Sequence, residues 1–396
     1  LSTAYLVGTC TSGFILPAAG VLLDRLGARR MATWVSLAFG AVLISHIYLD
    51  EASARLAEVS ESLAFLPVWL LPFLLMCFAF FSIRFLGQGC LPLAGRAMLG
   101  KWFNKRRGIV FSLSGVALSF CFSLAPQLLK NLIDAVGWEG AYMVLGLAVA
   151  GFTGTVAWVF FRENPEEIGQ NMDGTPDDAP PAPEETNQDL VIRRELTRPE
   201  ALRTYSFWAY NLALSFFAMV NTGYTFNILS IGNETGVGEE MILQLFIPMA
   251  FVGVTVNLVA GWLADRMRLK YILLVFCLAL GQAMLGLMLL PSLAGKVCLV
   301  LGWGIGGGIF NMLSGVVWPR YFGRAHLGAI SGAHLACTVF GSALGPLTFS
   351  MAKEFGGSYF SAYFLSLLMA ALLAGGAMFA DNPQRKIVDP EQEPPS

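Results

Sequence analysis

Apolar residues come in long runs near 1–23, 31–49, 67–95, 108–130, 138–161, 205–231, 240–264, 270–290, 296–318, 327–351 and 358–380, separated by polar stretches. Each run can cross a bilayer as a helix, which takes about 20 residues. Lipid offers no partner to open backbone groups, so segments of this kind must close their hydrogen bonds internally. A membrane barrel would instead show short segments of alternating polarity. The pattern therefore predicts an all-α polytopic membrane protein with eleven spans. Because the chain starts at Leu1 inside an apolar run, the expectation is a twelve-span protein whose first span is absent from this chain.

Composition points the same way: 56% of the 396 residues are hydrophobic and 13% are charged. The solvent of such a chain is the lipid bilayer. A formal net charge of -2 produces no field calling for nucleic acid. The seven cysteines, Cys10, Cys77, Cys90, Cys121, Cys277, Cys298 and Cys337, stand singly in apolar stretches. They read as small buried hydrophobes, with neither metal-ligand spacing nor a disulfide framework. No metal and no cofactor is expected.

Basic residues orient the spans. The alternate loops at 24–30, 96–107, 162–204, 265–270, 320–324 and 381–396 hold 20 of the 25 Lys and Arg residues. The opposite loops hold Arg55, Lys130, Lys296 and Lys353, and Arg84 lies inside a span. The positive-inside rule makes the first set cytoplasmic and puts the C-terminus inside, in an inner or plasma membrane. Residues 162–204, rich in Pro, Asp, Glu and Asn, read as a cytoplasmic linker with too little apolar surface to pack. The expected organisation is an N-terminal bundle over 1–161, the linker over 162–204, a C-terminal bundle over 205–380 and a cytoplasmic tail over 381–396.

The two bundles echo one another. Gly20-Val-Leu22-Leu-Asp24-Arg25 is repeated 241 positions later as Gly261-Trp-Leu263-Ala-Asp265-Arg266, and Trp102-Phe103-Asn-Lys105-Arg106 finds a looser echo 219 positions on in Tyr321-Phe322-Gly-Arg324. The difference of 22 residues is close to the size of an extra external loop at 49–66, which reads as an insertion.

The paired G-x-L-x-D-R segments resemble the signature between the second and third helices of the major facilitator superfamily and its copy between the eighth and ninth. Arg84-Phe-Leu-Gly87-Gln88-Gly89 resembles the fourth-helix signature. Trp102 to Gly108, Asn164-Pro-Glu-Glu-Ile-Gly169 and Arg320 to Gly328 with Gly345-Pro346 are similar to the monocarboxylate-porter and oxalate/formate-antiporter branch. The resemblance implies two pseudo-symmetric six-helix bundles, eleven of whose twelve spans are present, rocking about a midplane site. It further implies a gate at Asp24, Arg25, Arg29, Asp265 and Arg266, whose charge pairs would lock helix ends in one conformation. Ordinary positive-inside anchoring is the competing reading for Arg29, Arg30, Arg268 and Lys270. The branch often has a basic residue on its eighth helix, where Asn257 is the polar group here, and one on its eleventh, to which His334 could correspond.

Arg84 is read as the one Lys, Arg, Asp or Glu well inside a span. Burying it costs at least about 2.5–3.5 kcal/mol, so it needs a partner or a wet cavity. It either holds an organic anion or braces its helix, with Gln88 one turn away. Asn221, Tyr224 and Asn227 form a polar stripe, and with Asn311 they are candidate cavity-lining groups; hydrogen bonding between helices is the alternative. His334 is either a titrating group or a satisfied neutral histidine. Gly302 to Gly308 fits G-x-G-x-x-G but lies within a span, where it reads as a packing face, as does Gly341-x-x-x-Gly345. The chain carries no phosphate loop, zinc set or nucleophile elbow.

The resulting expectation is a monomeric secondary active transporter, not an enzyme. Its substrate would be a small molecule, first an organic anion such as a carboxylate, with a proton or an exchanged anion as co-substrate. A neutral solute or drug is the alternative substrate. A non-transporting membrane receptor or scaffold on the same fold is the alternative of another class.

Overall fold

The computed structural model describes residues 2–62, 66–174 and 191–387, and among these the structure is helical, with no strand. In chain order the helices are α1 (Ser2–Leu26), α2 (Ala28–Ser45), α3 (Leu49–Ser62), α4 (Leu70–Ile83), α5 (Leu91–Trp102), α6 (Arg107–Leu147) and α7 (Gly154–Phe160). After the linker come α8 (Arg198–Leu202), α9 (Tyr205–Phe226), α10 (Ile228–Glu234), α11 (Glu239–Gln244), α12 (Phe246–Ala264), α13 (Leu269–Met288), α14 (Leu293–Phe322), α15 (Leu327–Gly356) and α16 (Phe360–Ala377).

Nine helices among the described residues are long and apolar enough to cross a membrane, or ten if α9 and α10, bent by 69°, count as one span. This is fewer than the eleven expected. The run at 108–130 falls in the first part of α6, where only the shorter apolar helix Arg107–Cys121 is found. That element is two helices merged at Gly137, whose φ of 76° breaks it. The extra loop at 49–66 contains α3, a helix with Asp50 and Glu51 in its first turn.

Helices in lipid gain little from burying apolar surface against one another, so close packing relies on small residues. The glycine face of α14 has this use: a Cβ on Gly302 would lie 2.4 Å from the Ala283 nitrogen, and one on Gly308 would lie 2.5 Å from the Gly253 carbonyl. Gly341 and Gly345 of α15 press equally close to the Ser215 and Met219 carbonyls of α9. Around these contacts the C-terminal half builds an aromatic core in which Trp318 lies 5.3 Å from Phe207 and Tyr210 lies 5.4 Å from Tyr321.

The two halves of the chain meet chiefly through α1 on α15 and α6 on α12. Both crossings are glycine on glycine: Gly20 against Gly328, and Gly261 against Gly108. They lie near the end of the bundle that carries the linker. The stretch 162–204, expected to stay unpacked, packs at both flanks: Leu196 and Ala201 are buried, and the Leu196 amide donates to the Phe322 carbonyl at 2.9 Å. Residues 175–190, like most of the tail, lie outside the described residues.

Candidate substrate cavity and gate

At each glycine crossing an aspartate closes the contact. Asp24, one turn after Gly20, accepts from the Gly328 and Ala329 amides, both at 2.7 Å. Asp265, one turn after Gly261, accepts from the Gly108 and Ile109 amides at 2.8 and 3.2 Å. These amides belong to the first turns of α15 and α6, where N–H groups lack intrahelical partners and the helix dipole favours an anion. Burial pushes the Asp265 carboxyl up from its ordinary value, against the opposing pull of the two amides and of Arg320 and Arg107.

The expected aspartate–arginine pairs differ from this arrangement. Arg29 donates to the Trp158 carbonyl at 2.6 Å and stands 4.6 Å from the centre of that indole. Arg266 does the same at Trp262, 4.2 Å from the ring. Arg25 is exposed, with no carboxylate partner among the described residues. The physical reason is that free helix-end amides already satisfy the carboxylates, while the arginines stack on interfacial aromatic rings.

Further acids converge on the same turns, and sequence reading missed them. Asp173 accepts from the amides of Asn104, Lys105 and Arg106 at 3.0–3.3 Å, and Glu195 accepts from the Ala325 amide at 2.9 Å. Glu166 pairs with Arg324 at 2.6 Å across the halves. Glu163 holds Lys101 and the Ala28 amide next to Gly27, whose φ of 82° turns the chain from α1 into α2. No spacing in a stretch read as linker announces these caps.

On the far side of the α6–α12 crossing from the linker, a cavity of about 230 Å³ runs along α12 from Phe246 to Asn257, lined also by Ser119, Asn221, Trp303 and Asn311. Asn221 and Asn311 are thus brought together in one cavity. Trp303 Nε1 donates to Asn221 Oδ1 at 3.0 Å. Tyr224 stands behind the cavity, fully buried, its ring 4.3 Å from Trp303. Asn227 sits at the α9–α10 bend, its Nδ2 donating to the Gly223 carbonyl at 2.9 Å. Asn257 is the addition: its Oδ1 is buried with no hydrogen-bond partner.

Arg84 and Gln88 pair with each other outside that cavity, with the Arg84 guanidinium 4.8 Å from the centre of the Tyr5 ring. Their motif coincides with a π-helical stretch, Arg84–Cys90, between α4 and α5. Such segments often mark functional positions. Arg84 is not alone inside a helix. Arg96, read as the start of a loop, lies in the middle of α5 because that helix continues past the hydropathy drop to Trp102. With His334, Ser314 and Ser331 it lines a separate pocket of about 20 Å³. His334 is buried, its Nδ1 2.9 Å from Asn211 Oδ1 and its ring 4.5 Å from Trp318. No group of three metal-ligating side chains occurs among the described residues.

Two facing helical halves joined at one end, with a polar cavity beyond the joint, are the architecture of a membrane transporter. The model of the Major Facilitator Superfamily matches residues 1–346, and the chain belongs to that family; it is a multi-pass integral membrane protein. It is 25% identical over 317 residues to monocarboxylate transporter 12 of Rattus norvegicus, covering 73% of this chain and 63% of that one. It is 26% identical over 295 residues to a probable hexose phosphate transport protein of Chlamydia pneumoniae, covering 67% and 62%. The chain thus spans a little under two thirds of the length of these curated relatives. Among solved structures it is similar to the transporter FucP in the outward conformation, with a TM-score of 0.64 at 13% identity over 96% of this chain and 88% of that one. It is also similar to a bacterial homologue of the iron transporter ferroportin in an outward-facing state, with a TM-score of 0.62 at 13% identity over 96% and 89%. These two likenesses concern the fold.

Proposed function

We propose that this protein is a secondary transporter of a small organic anion, working by alternating access, and that the structure is its outward-facing state with the cytoplasmic gate shut. The observation that carries the anion reading is that Arg84, which opens the π-helical motif, and Arg96, inside the helix that follows it, have no carboxylate partner among the described residues. A cation held so needs an anion or water to offset the loss of its hydration. The relatives add support, because monocarboxylates and hexose phosphates are both organic anions. The gate reading rests on Asp24 and Asp265, whose bonds bridge the halves at the end assigned to the cytoplasm by its basic loops. On this reading the substrate enters beside Asn221, Asn257 and Asn311, whose amides supply orienting hydrogen bonds.

The test is ligand-dependent thermal stability of the purified full chain, with pyruvate and glucose 6-phosphate as anionic probes and fucose as a neutral one. At about 100 times its Kd a ligand adds about 2.7 kcal/mol to the folded state, so a bound anion raises Tm by several degrees. Arg84→Gln should abolish that rise if Arg84 holds the anion, and Arg84→Lys should weaken it by loss of the bidentate fork. Stabilisation by fucose and by neither anion would overturn the anion reading.

A further inference from the structure

The pocket around Arg96 lies between the halves. Pro92, Leu93 and Arg96 come from α5, Ser314 and Trp318 from α14, and Ser331 and His334 from α15. Along α14 it begins one turn beyond Asn311, which lines the larger cavity. It therefore sits on the path from that cavity to the linker end, directly behind the contacts that Asp24 makes with Gly328 and Ala329 on α15.

Its chemistry is one-sided. The Arg96 guanidinium has no hydrogen-bond, ion-pair or ring partner among the described residues, and neither has the Ser331 hydroxyl. His334 Nδ1 is hydrogen-bonded to the Asn211 side-chain amide at 2.9 Å, which anchors the ring in the pocket wall. Ser314 is tied to the Phe310 carbonyl at 2.7 Å. No carboxylate lines the pocket. At about 20 Å³ it is large enough for one water and too small for an organic acid.

We infer that this pocket is the collapsed form of an inner anion subsite, in which Arg96 and Ser331 receive the substrate's carboxylate or phosphate after α5 and α15 separate. The inference rests on the anion-transport reading and adds to it a second station, distinct from the outer cavity. The guanidinium fork supplies the charge and two parallel donors, and the free serine hydroxyl supplies a third. Collapse around a single water keeps solutes out while the outer cavity is loaded. Separation of α5 from α15 at once creates the room and exposes the cation, so the subsite exists only when the linker end is open. Arg96 then sets charge selectivity at the cytoplasmic mouth.

The inference is tested with the full chain carrying Ser331→Cys, in lipid nanodiscs that leave both faces accessible. Modification by a methanethiosulfonate bearing a sulfonate is compared with one bearing a trimethylammonium, and reaction at position 331 is read by peptide mass spectrometry so that native cysteines do not interfere. The anionic-to-cationic rate ratio at 331 should exceed that of free cysteine by about tenfold or more. Arg96→Gln should abolish the excess, and Arg96→Lys should preserve it. A ratio no higher than that of free cysteine, an excess that survives Arg96→Gln, or no reaction with either reagent would each overturn the subsite. The ratio is decisive in the chain that keeps Arg96, even where the Gln variant fails to fold. Because it is read without substrate, loss of selectivity at 331 with anions still raising Tm removes only the inner subsite. Stabilisation by fucose alone removes the anion reading itself.

Discussion

Adding one methyl group at a glycine crossing tests whether these crossings hold the linker end shut. In Gly20→Ala the new Cβ would stand 2.2 Å from the Gly328 carbonyl oxygen and 2.8 Å from its carbon, both backbone atoms of the facing helix. Ordinary contact begins near 3.4 Å, so α1 and α15 must part by about 1 Å, a change that also stretches the Asp24 bonds one turn on. In Gly261→Ala the Ser112 hydroxyl can rotate away, but the Gly108 carbonyl at 2.5 Å cannot. Overpacking of this kind costs about 1–3 kcal/mol. With tenfold per 1.4 kcal/mol, that shifts a closed–open equilibrium by about fivefold to more than a hundredfold. Alanine's better helix propensity, up to about 1 kcal/mol, acts on both forms alike and so leaves this shift unchanged. The assay is pulsed electron paramagnetic resonance between spin labels at Arg30 and His326, exposed positions of the two halves at the linker end. Both variants should move the distance distribution to longer values. Gly375→Ala, with nothing within 4 Å of its Cβ, should not. Distributions for Gly20→Ala and Gly261→Ala that match wild type would refute the assignment of these crossings to the gate.

Two further outcomes are expected. Burial holds the Asp265 carboxyl above its ordinary 3.8 in the closed arrangement, while an opened, solvated Asp265 returns to that value; the closed form therefore binds the proton more tightly. Lowering the pH from neutral through the raised value should add stability to the closed form, seen as shorter Arg30–His326 distances, and Asp265→Asn should flatten that component; lengthening on acidification would contradict it. Cysteines introduced at 49–62 or 232–239 should be labelled in sealed cells by an impermeant maleimide, and cysteines at 191–195 should not; labelling of the latter would reverse the orientation.

How much was legible in the sequence follows from the range of each force. The helices, the glycine faces of α14 and α15 and the repeated aspartates were readable because each depends on local spacing and on the exclusion of open backbone from lipid. The partners of Asp24 and Asp265 were not, since a helix-end amide has no residue letter of its own: any first turn supplies it. The same holds for Asp173 and Glu195, which cap backbone and so leave no complementary side chain to find. Arg96 was misplaced for a different reason. Hydropathy falls after residue 95, but the helix continues to Trp102 because the neighbouring helices α14 and α15 give its polar end a buried setting. The cluster of Asn221, Asn257, Trp303 and Asn311 needed three helices at once: Asn221 and Asn311 could be named as lining groups and Asn257 as the polar group of its helix, but Trp303 left no signal.

The acids at the linker end fall into two sets whose difference bears on how the gate opens. Asp173 follows α7 and caps the turn before α6, both in the N-terminal half; Glu195 precedes α8 and caps the turn before α15, both in the C-terminal half. Asp24 and Asp265 bond instead to backbone of the half they do not belong to, and Glu166 reaches across to Arg324. If the halves part as rigid bodies, the first set stays bound and the second set must let go. An opening gate then exposes only the four amides that faced Asp24 and Asp265, at positions where water can reach and replace them. Each carboxylate regains hydration as it leaves, which offsets bonds of about 1.5–3 kcal/mol each. On the gate reading, the division keeps the helix ends ordered in both states while the barrier between them depends on the crossing aspartates, the Glu166–Arg324 pair and the glycines, which is the arrangement a carrier needs if it is to be shut firmly and still reopen on every cycle.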